Sequence, residues 1–202
     1  MRSPYDGSLV GMVSVGDAEH LHQAVESAQR AMTHPLPAYQ RAEILSRAAH
    51  LVEQRLEDFA RTIALEAGKP IKTARLEVMR AVATLTFSAI EARTLAGEVV
   101  PMSGAAAGAG KIAFTLREPI GVVGAITPFN FPLNLVCHKV GPAIAAGCAV
   151  VLKPASATPI TALKLAEVLM EADLPRGWLN VIPGPSGEVG NTLVDHPDVP
   201  LI

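Results

Sequence analysis

The chain has 202 residues, half of them hydrophobic and 18% charged, with a formal net charge of -2. That composition belongs to a globular chain with an aliphatic core, long enough for one large domain or a domain and a half, and it excludes a disordered one. Lys and Arg number 17 against 19 Asp and Glu, so there is no basic excess to hold a nucleic-acid backbone, and a small molecule is the expected partner.

Pro4-Tyr5-Asp6-Gly7 is a turn signal between extended flanks, and a short hairpin is expected over 1–16. Gly16-Asp17 offers an N-cap to a helix carrying Leu21, Val25, Ala28 and Met32 at helical spacing. His34-Pro35 stops it. The next helix is expected to run to Gly68-Lys69-Pro70, with Leu45, Ala48, Val52, Leu56, Phe59 and Ile63 on one face. A third helix is expected over 71–94 with Leu76, Met79, Ala83 and Ile90 inward. Arg41, Glu43, Arg47, Glu53, Arg55, Glu57 and Asp58 read as a solvated face, so the helices read as a packed layer. Residues 97–110 are turn and low-complexity loop.

Strands are expected over 111–117 and 120–126. Regular alternation then follows: helix 133–146, strand 149–152, helix 159–172, strand 179–182, helix 187–195, and the start of another strand after His196. Short, nearly unbroken apolar strands between helices predict an α/β fold with a parallel sheet covered on both faces. A sheet with three strands and the start of a fourth reads as an incomplete one. Cys137 and Cys148 form neither a disulfide framework nor a metal site, and both read as small core hydrophobes. His20 and His22, two apart on a helix, face different sides, so no metal site is expected. The N-terminus shows no leader and no apolar run is long enough to span a bilayer, so the expected location is cytoplasmic.

Chemistry-bearing residues gather at strand ends. Asn130 lies between Pro128 and Pro132, which push Thr127 and Phe131 into extended geometry and fix the asparagine at the carboxyl end of a strand. A rigid amide there either donates to a developing oxyanion or merely caps the following helix or closes the turn. Lys153 follows the apolar run 149–152. It either hydrogen-bonds ribose hydroxyls, with Ser156 beside it, or reaches solvent. The turn from Gly184 through Gly187 to Gly190 either lets a ligand approach the backbone at a helix N-terminus or merely enters the helix. No nucleophile and no base stand out.

Taken together, Pro119-Ile120-Gly121-Val122-Val123-Gly124, Thr127-Pro128-Phe129-Asn130-Phe131-Pro132, Gly141-Pro142-Ala143-Ile144-Ala145-Ala146-Gly147 and Val151-Leu152-Lys153-Pro154-Ala155-Ser156 resemble the amino-terminal half of the aldehyde dehydrogenase superfamily. Gly68-Lys69-Pro70 matches as well, and the resemblance covers essentially the whole chain. It implies an amino-terminal hairpin and helices followed by a truncated Rossmann-like sheet: residues 1–202 as the amino-terminal part of an NAD(P)-binding domain, without the catalytic domain. It implies NAD(P)-dependent oxidation of an aldehyde to its acid through a cysteine thiohemiacetal, with Asn130 as the oxyanion donor. The cofactor groove would be lined by Ile126, Thr127, Pro128, Phe129 and Asn130. Lys153, Pro154, Ala155 and Ser156 would contact the adenosine ribose, and Gly184 and Gly187 would border it.

The family's second glycine-rich turn, base glutamate and nucleophilic cysteine have no counterpart within these residues. An amino-terminal fragment, inactive alone, is therefore expected. Many NAD-preferring members carry a glutamate where this chain has Ser156; without that charge, NADP should be tolerated alongside NAD. The continuation Pro132-Leu133-Asn134-Leu135 looks closest to members acting on small polar aldehydes. The family's dimers or tetramers imply a homo-oligomer, with 1–16 and 111–126 contributing. Two other readings stand beside this one: an inactive nucleotide-binding or interaction remnant, and a dinucleotide module of another oxidoreductase.

Overall fold

Asp17 is extended and its side chain accepts from His20 N at 3.0 Å, which starts helix α1 (Ala18–Met32) in the computed structural model, where residues 1–202 are all described. The expected hairpin before it shrinks to a single antiparallel bridge, Arg2 to Leu9, because Leu9, Met12 and Val15 stay exposed and bury no face that would fix a longer pairing.

The single helix expected between the prolines and Gly68 is two: α2 (Ala38–Gln54) and α3 (Leu56–Ala67), interrupted at Arg55 (φ -101°, ψ 22°). No glycine or proline marks the break. Gly68 closes α3 in the left-handed conformation (φ 64°), and α4 (Ile71–Thr94) follows. Its expected inward stripe is wrong. Leu76, Met79, Ala83 and Ile90 are exposed, and the buried face is Ala74, Glu77, Val78, Ala81, Leu85, Ser88, Ala89 and Ala92. Small residues win that face because α4 lies close against a second helix: a Cβ on Gly141 would stand 2.6 Å from Ser88 Oγ.

The expected strand over 111–117 contributes only β2 (Ala113–Phe114), which pairs antiparallel with β1 (Val99–Val100) inside the expected loop. The α/β alternation follows: β3 (Val123–Ile126), α5 (Asn134–Ala145), β4 (Val150–Lys153), α6 (Pro159–Glu171) and β5 (Leu179–Val181). The last expected helix is a five-residue π turn, Ser186–Gly190, continued by one α-helical turn, α7 (Asn191–Val194).

β4 pairs in parallel with β3, Val123 opposite Val150 and Ile126 opposite Lys153, and on its other side with β5. The chain then returns to the free side of β3, where Leu201 bridges Val123 and accepts from Gly124 N at 2.8 Å. Strand order therefore reverses at β3, the place where α/β sheets open a ligand crevice. Val123, Ala125, Val150 and Leu152 face one core with α2 to α6, while Val122, Ala149 and Val151 face another with α1, Val189 and Leu193. No helix is long and apolar enough to cross a membrane.

The solvated-face reading also needs correction at particular residues. Arg47 donates twice to the Ala172 carbonyl that closes α6, Arg55 grips Glu171 at 2.6 Å, and Asp58 accepts from Lys164, so α2 and α3 are fastened along α6. Deeper in, Glu66 is 2% exposed and accepts from Ile160 N and Thr161 N, both at 2.9 Å, and from the Thr161 hydroxyl. Helix α6 starts with Pro159 and has no side-chain cap of its own, so a carboxylate from α3 does that work.

Glu66→Ala leaves these donors buried without an acceptor and is expected to destabilise the chain by about 1–3 kcal/mol in chemical denaturation. Glu66→Gln keeps one oxygen and costs less. Burial raises the Glu66 pKa above the ordinary 4.5, against the pull of its three donors. The folded chain thus holds a proton the unfolded chain has released, and this group's contribution is fully present below 4.5 and lost as pH rises through the folded value. Wild type should therefore lose stability relative to Glu66→Gln across that window.

Candidate functional site

The three parallel strands end side by side. Ile126 lies opposite Lys153, Thr127 N donates to Lys153 O at 3.3 Å, and Ile182 N donates to Leu152 O at 2.8 Å. The turns leaving β3, β4 and β5 therefore form one edge of the sheet, and all the cofactor and catalytic candidates lie on them.

After β3 the chain leaves the core quickly. Thr127 is buried, Ile126 half-buried, and Pro128, Phe129 and Asn130 are exposed. Asn130 does not cap the following helix. Its carbonyl accepts from Lys69 Nζ at 2.5 Å, and its side-chain amide has no partner in the chain. The cap of α5 is Glu77, whose Oε1 accepts from Leu133 N at 2.9 Å and Asn134 N at 3.2 Å. Of the roles the spacing left open for Asn130, helix capping is taken by Glu77.

Lys153 does not reach solvent. It is 2% exposed, and its stem lies beside Gly190, where a Cβ would meet Lys153 Cδ at 3.6 Å. Nζ donates to the Pro154 carbonyl at 3.1 Å, no carboxylate pairs with it, and burial lowers its pKa. An ammonium has three donors, and one neutral acceptor leaves most of that capacity unmet. This is a fitting environment for the hydroxyls or phosphate of a nucleotide.

Pro154 is buried, Ala155 half-buried and Ser156 exposed; Ser156 Oγ donates to Gly184 O at 3.0 Å and ties the β4 turn to the β5 turn. Met1, Val13, Val15, Pro159, Pro183 and Pro185 complete a cleft of about 350 Å³ beside them. The two turn glycines differ. Gly184 is required by internal packing, since a Cβ there would stand 2.7 Å from the Gly16 carbonyl and 2.5 Å from Val189. Gly187 has open space around its Cβ position.

The structure thus joins Ile126 to Lys153 and Ser156 to Gly184, while Asn130 is joined to the helical layer through Lys69. Lys69 and the buried carboxylates Glu66 and Glu77 were missed by the sequence reading. The signal for Glu77 was there: it falls at helical spacing with Ala74, Val78 and Ala81, an acid on a face otherwise small and apolar. Both thiols are inaccessible, Cys137 fully buried and Cys148 2% exposed. Burial, with the Glu77 charge adding to it, pushes the Cys137 pKa far up.

Residues 1–202 match the aldehyde dehydrogenase family. The 3-sulfolactaldehyde dehydrogenase of Priestia aryabhattai is 50% identical over 187 residues, covering 93% of this chain and 39% of that protein. Aspartate-semialdehyde dehydrogenase 1 of Pseudomonas canavaninivorans is 45% identical over 203 residues, 99% of this chain and 43% of that protein. Among solved structures, an NADP-dependent enzyme of E. coli superposes with a TM-score of 0.93 at 39% identity, over 99% of this chain and 41% of that one. Related structures hold NADP in one case and nicotinamide adenine dinucleotide in another. The chain spans about two fifths of the length of the relatives it matches.

Neither cysteine should react with an aromatic disulfide reagent in the native chain, and both should react once denaturant is added. A thiol titrating at full stoichiometry under native conditions would place a usable nucleophile within these residues.

Proposed function

This chain belongs to the aldehyde dehydrogenase family, and we propose that it supplies the cofactor groove and the oxyanion donor for NAD(P)-dependent oxidation of a small polar aldehyde to its carboxylic acid. The observation that carries this reading is the free, exposed amide of Asn130 at the sheet's carboxyl edge, beside strand ends that also present the buried Lys153. When a thiolate from the remainder of the enzyme adds to the aldehyde carbon, negative charge develops on the carbonyl oxygen. Asn130 Nδ2 is the donor for that oxygen, and its held backbone means little reorganisation accompanies the step.

A bound nicotinamide supplies the hydride acceptor. This chain's part is to bind and orient the nucleotide: Ile126, Thr127, Pro128 and Phe129 line the groove, Lys153 and Ser156 take the ribose, with Pro154 and Ala155 shaping that turn, and Gly184 and Gly187 border it. No carboxylate stands at Ser156 to repel a 2′-phosphate, which supports use of NADP as well as NAD. Related proteins named for sulfolactaldehyde and aspartate semialdehyde support a small polar substrate. The exposed Val99, Ile112, Phe114 and Leu116 on and beside the β1–β2 ribbon support a role for 111–126 in a homo-oligomer. Residues 1–202 alone are inactive in this reading, because their two thiols are buried.

In the complete enzyme, Asn130→Ala should lower kcat by about 10²- to 10³-fold with little change in nucleotide affinity. Ser156→Glu should reduce kcat/KM with NADP by about tenfold or more while sparing NAD, as the added carboxylate opposes the 2′-phosphate. Aldehyde oxidation by purified residues 1–202, or full turnover by Asn130→Ala, would contradict the proposal.

A further inference from the structure

The segment that carries Asn130 belongs to neither strand nor helix, and what holds it comes from the helical layer. Lys69 Nζ lies 2.5 Å from Asn130 O and 2.5 Å from Glu77 Oε2, and sits 4.2 Å from the centre of the Phe131 ring. The other oxygen of Glu77 accepts from Leu133 N and Asn134 N. One carboxylate with a fully buried side chain thus fastens both ends of the stretch 130–134, directly at the helix start and through Lys69 at Asn130. The Lys69 side chain is itself only 13% exposed, and it follows the left-handed Gly68 that turns the chain toward the sheet edge.

We propose that Lys69 and Glu77 are positioning residues for Asn130: the ammonium, held by the buried carboxylate, fixes the Asn130 carbonyl and thereby the direction in which its side-chain amide points. The proposal rests on Asn130 being the oxyanion donor. A carbonyl held by a charge-assisted bond has little freedom to rotate its peptide, and the Asn130 side chain leaves the same backbone. Displacing a catalytic group by about 1 Å costs on the order of 10²-fold in rate, so a residue that touches no substrate can still govern kcat. Lys69 bonds neither Lys153 nor Ser156, the residues assigned to the ribose, so cofactor affinity should depend on it far less than kcat does.

The test is a double-mutant cycle in the complete enzyme, measuring kcat, KM for the aldehyde and Kd for NADP. Lys69→Met should lower kcat on the order of 10- to 100-fold and leave KM and Kd within about twofold. Glu77→Gln keeps an oxygen for the two helix amides but turns a donor toward Lys69; it should reproduce the kcat loss and covers the case in which Lys69→Met folds poorly. In the Asn130→Ala background, Lys69→Met should cost no more than about a further twofold, since the group it positions is gone. If the two losses multiply, or if Glu77→Gln and Lys69→Met leave kcat intact while Asn130→Ala abolishes it, the positioning role is wrong and the oxyanion role stands. If Asn130→Ala itself turns over normally, both fall.

Discussion

The structure depends on two buried carboxylates that cross from the helical layer to the α/β unit. Helices α5 and α6 begin with N–H groups that are buried or part-buried, and neither helix has a side-chain cap of its own. Glu77 from α4 and Glu66 from α3 supply the acceptors. Burying a carboxylate is costly unless its lone pairs are filled, and here they are: Glu77 by two amides and an ammonium, Glu66 by two amides and a hydroxyl. The positive end of each helix dipole adds to the attraction. The helical layer is thereby locked to the α/β unit at two buried points, in addition to the more exposed bonds that Arg47, Arg55 and Asp58 make with α6.

Both locks sit at the starts of helices that follow strands β3 and β4, on the edge where the candidate site lies. The arrangement gives the two halves of that edge different characters. On the β3 side, Lys69 is drawn into the Glu77 lock and takes hold of Asn130. On the β4 side, Lys153 is buried against Gly190 with a single neutral acceptor and no carboxylate. One lysine has its charge balanced by a carboxylate and holds the backbone; the other has only a neutral carbonyl for its buried ammonium.

Much of this was legible in the chain. Short apolar runs separated by helical spacing located every strand of the parallel sheet, and Asp17 and Gly68 marked helix ends because their backbone chemistry acts locally. The motif around Asn130 and the one around Lys153 identified the family and the sheet edge. Two of the failures share a cause in tertiary packing. The stripe Leu76, Met79, Ile90 looked inward because those residues are large, yet close approach to α5 at Gly141 selects Ala and Ser on that face. Arg55 breaks a helix with no breaker in its sequence. Glu66 and Glu77 were not singled out, because the helix amides they cap lie more than fifty residues away in the chain.

The central claim, that these carboxylates lock the helical layer to the sheet edge, is tested most directly by native-state hydrogen exchange at four amides: Leu133, Asn134, Ile160 and Thr161. The account predicts that all four exchange only through global unfolding, with the same dependence on denaturant as the core strand amides Val150 and Val151. Exchange as fast as in the exposed loop 103–110 would contradict it.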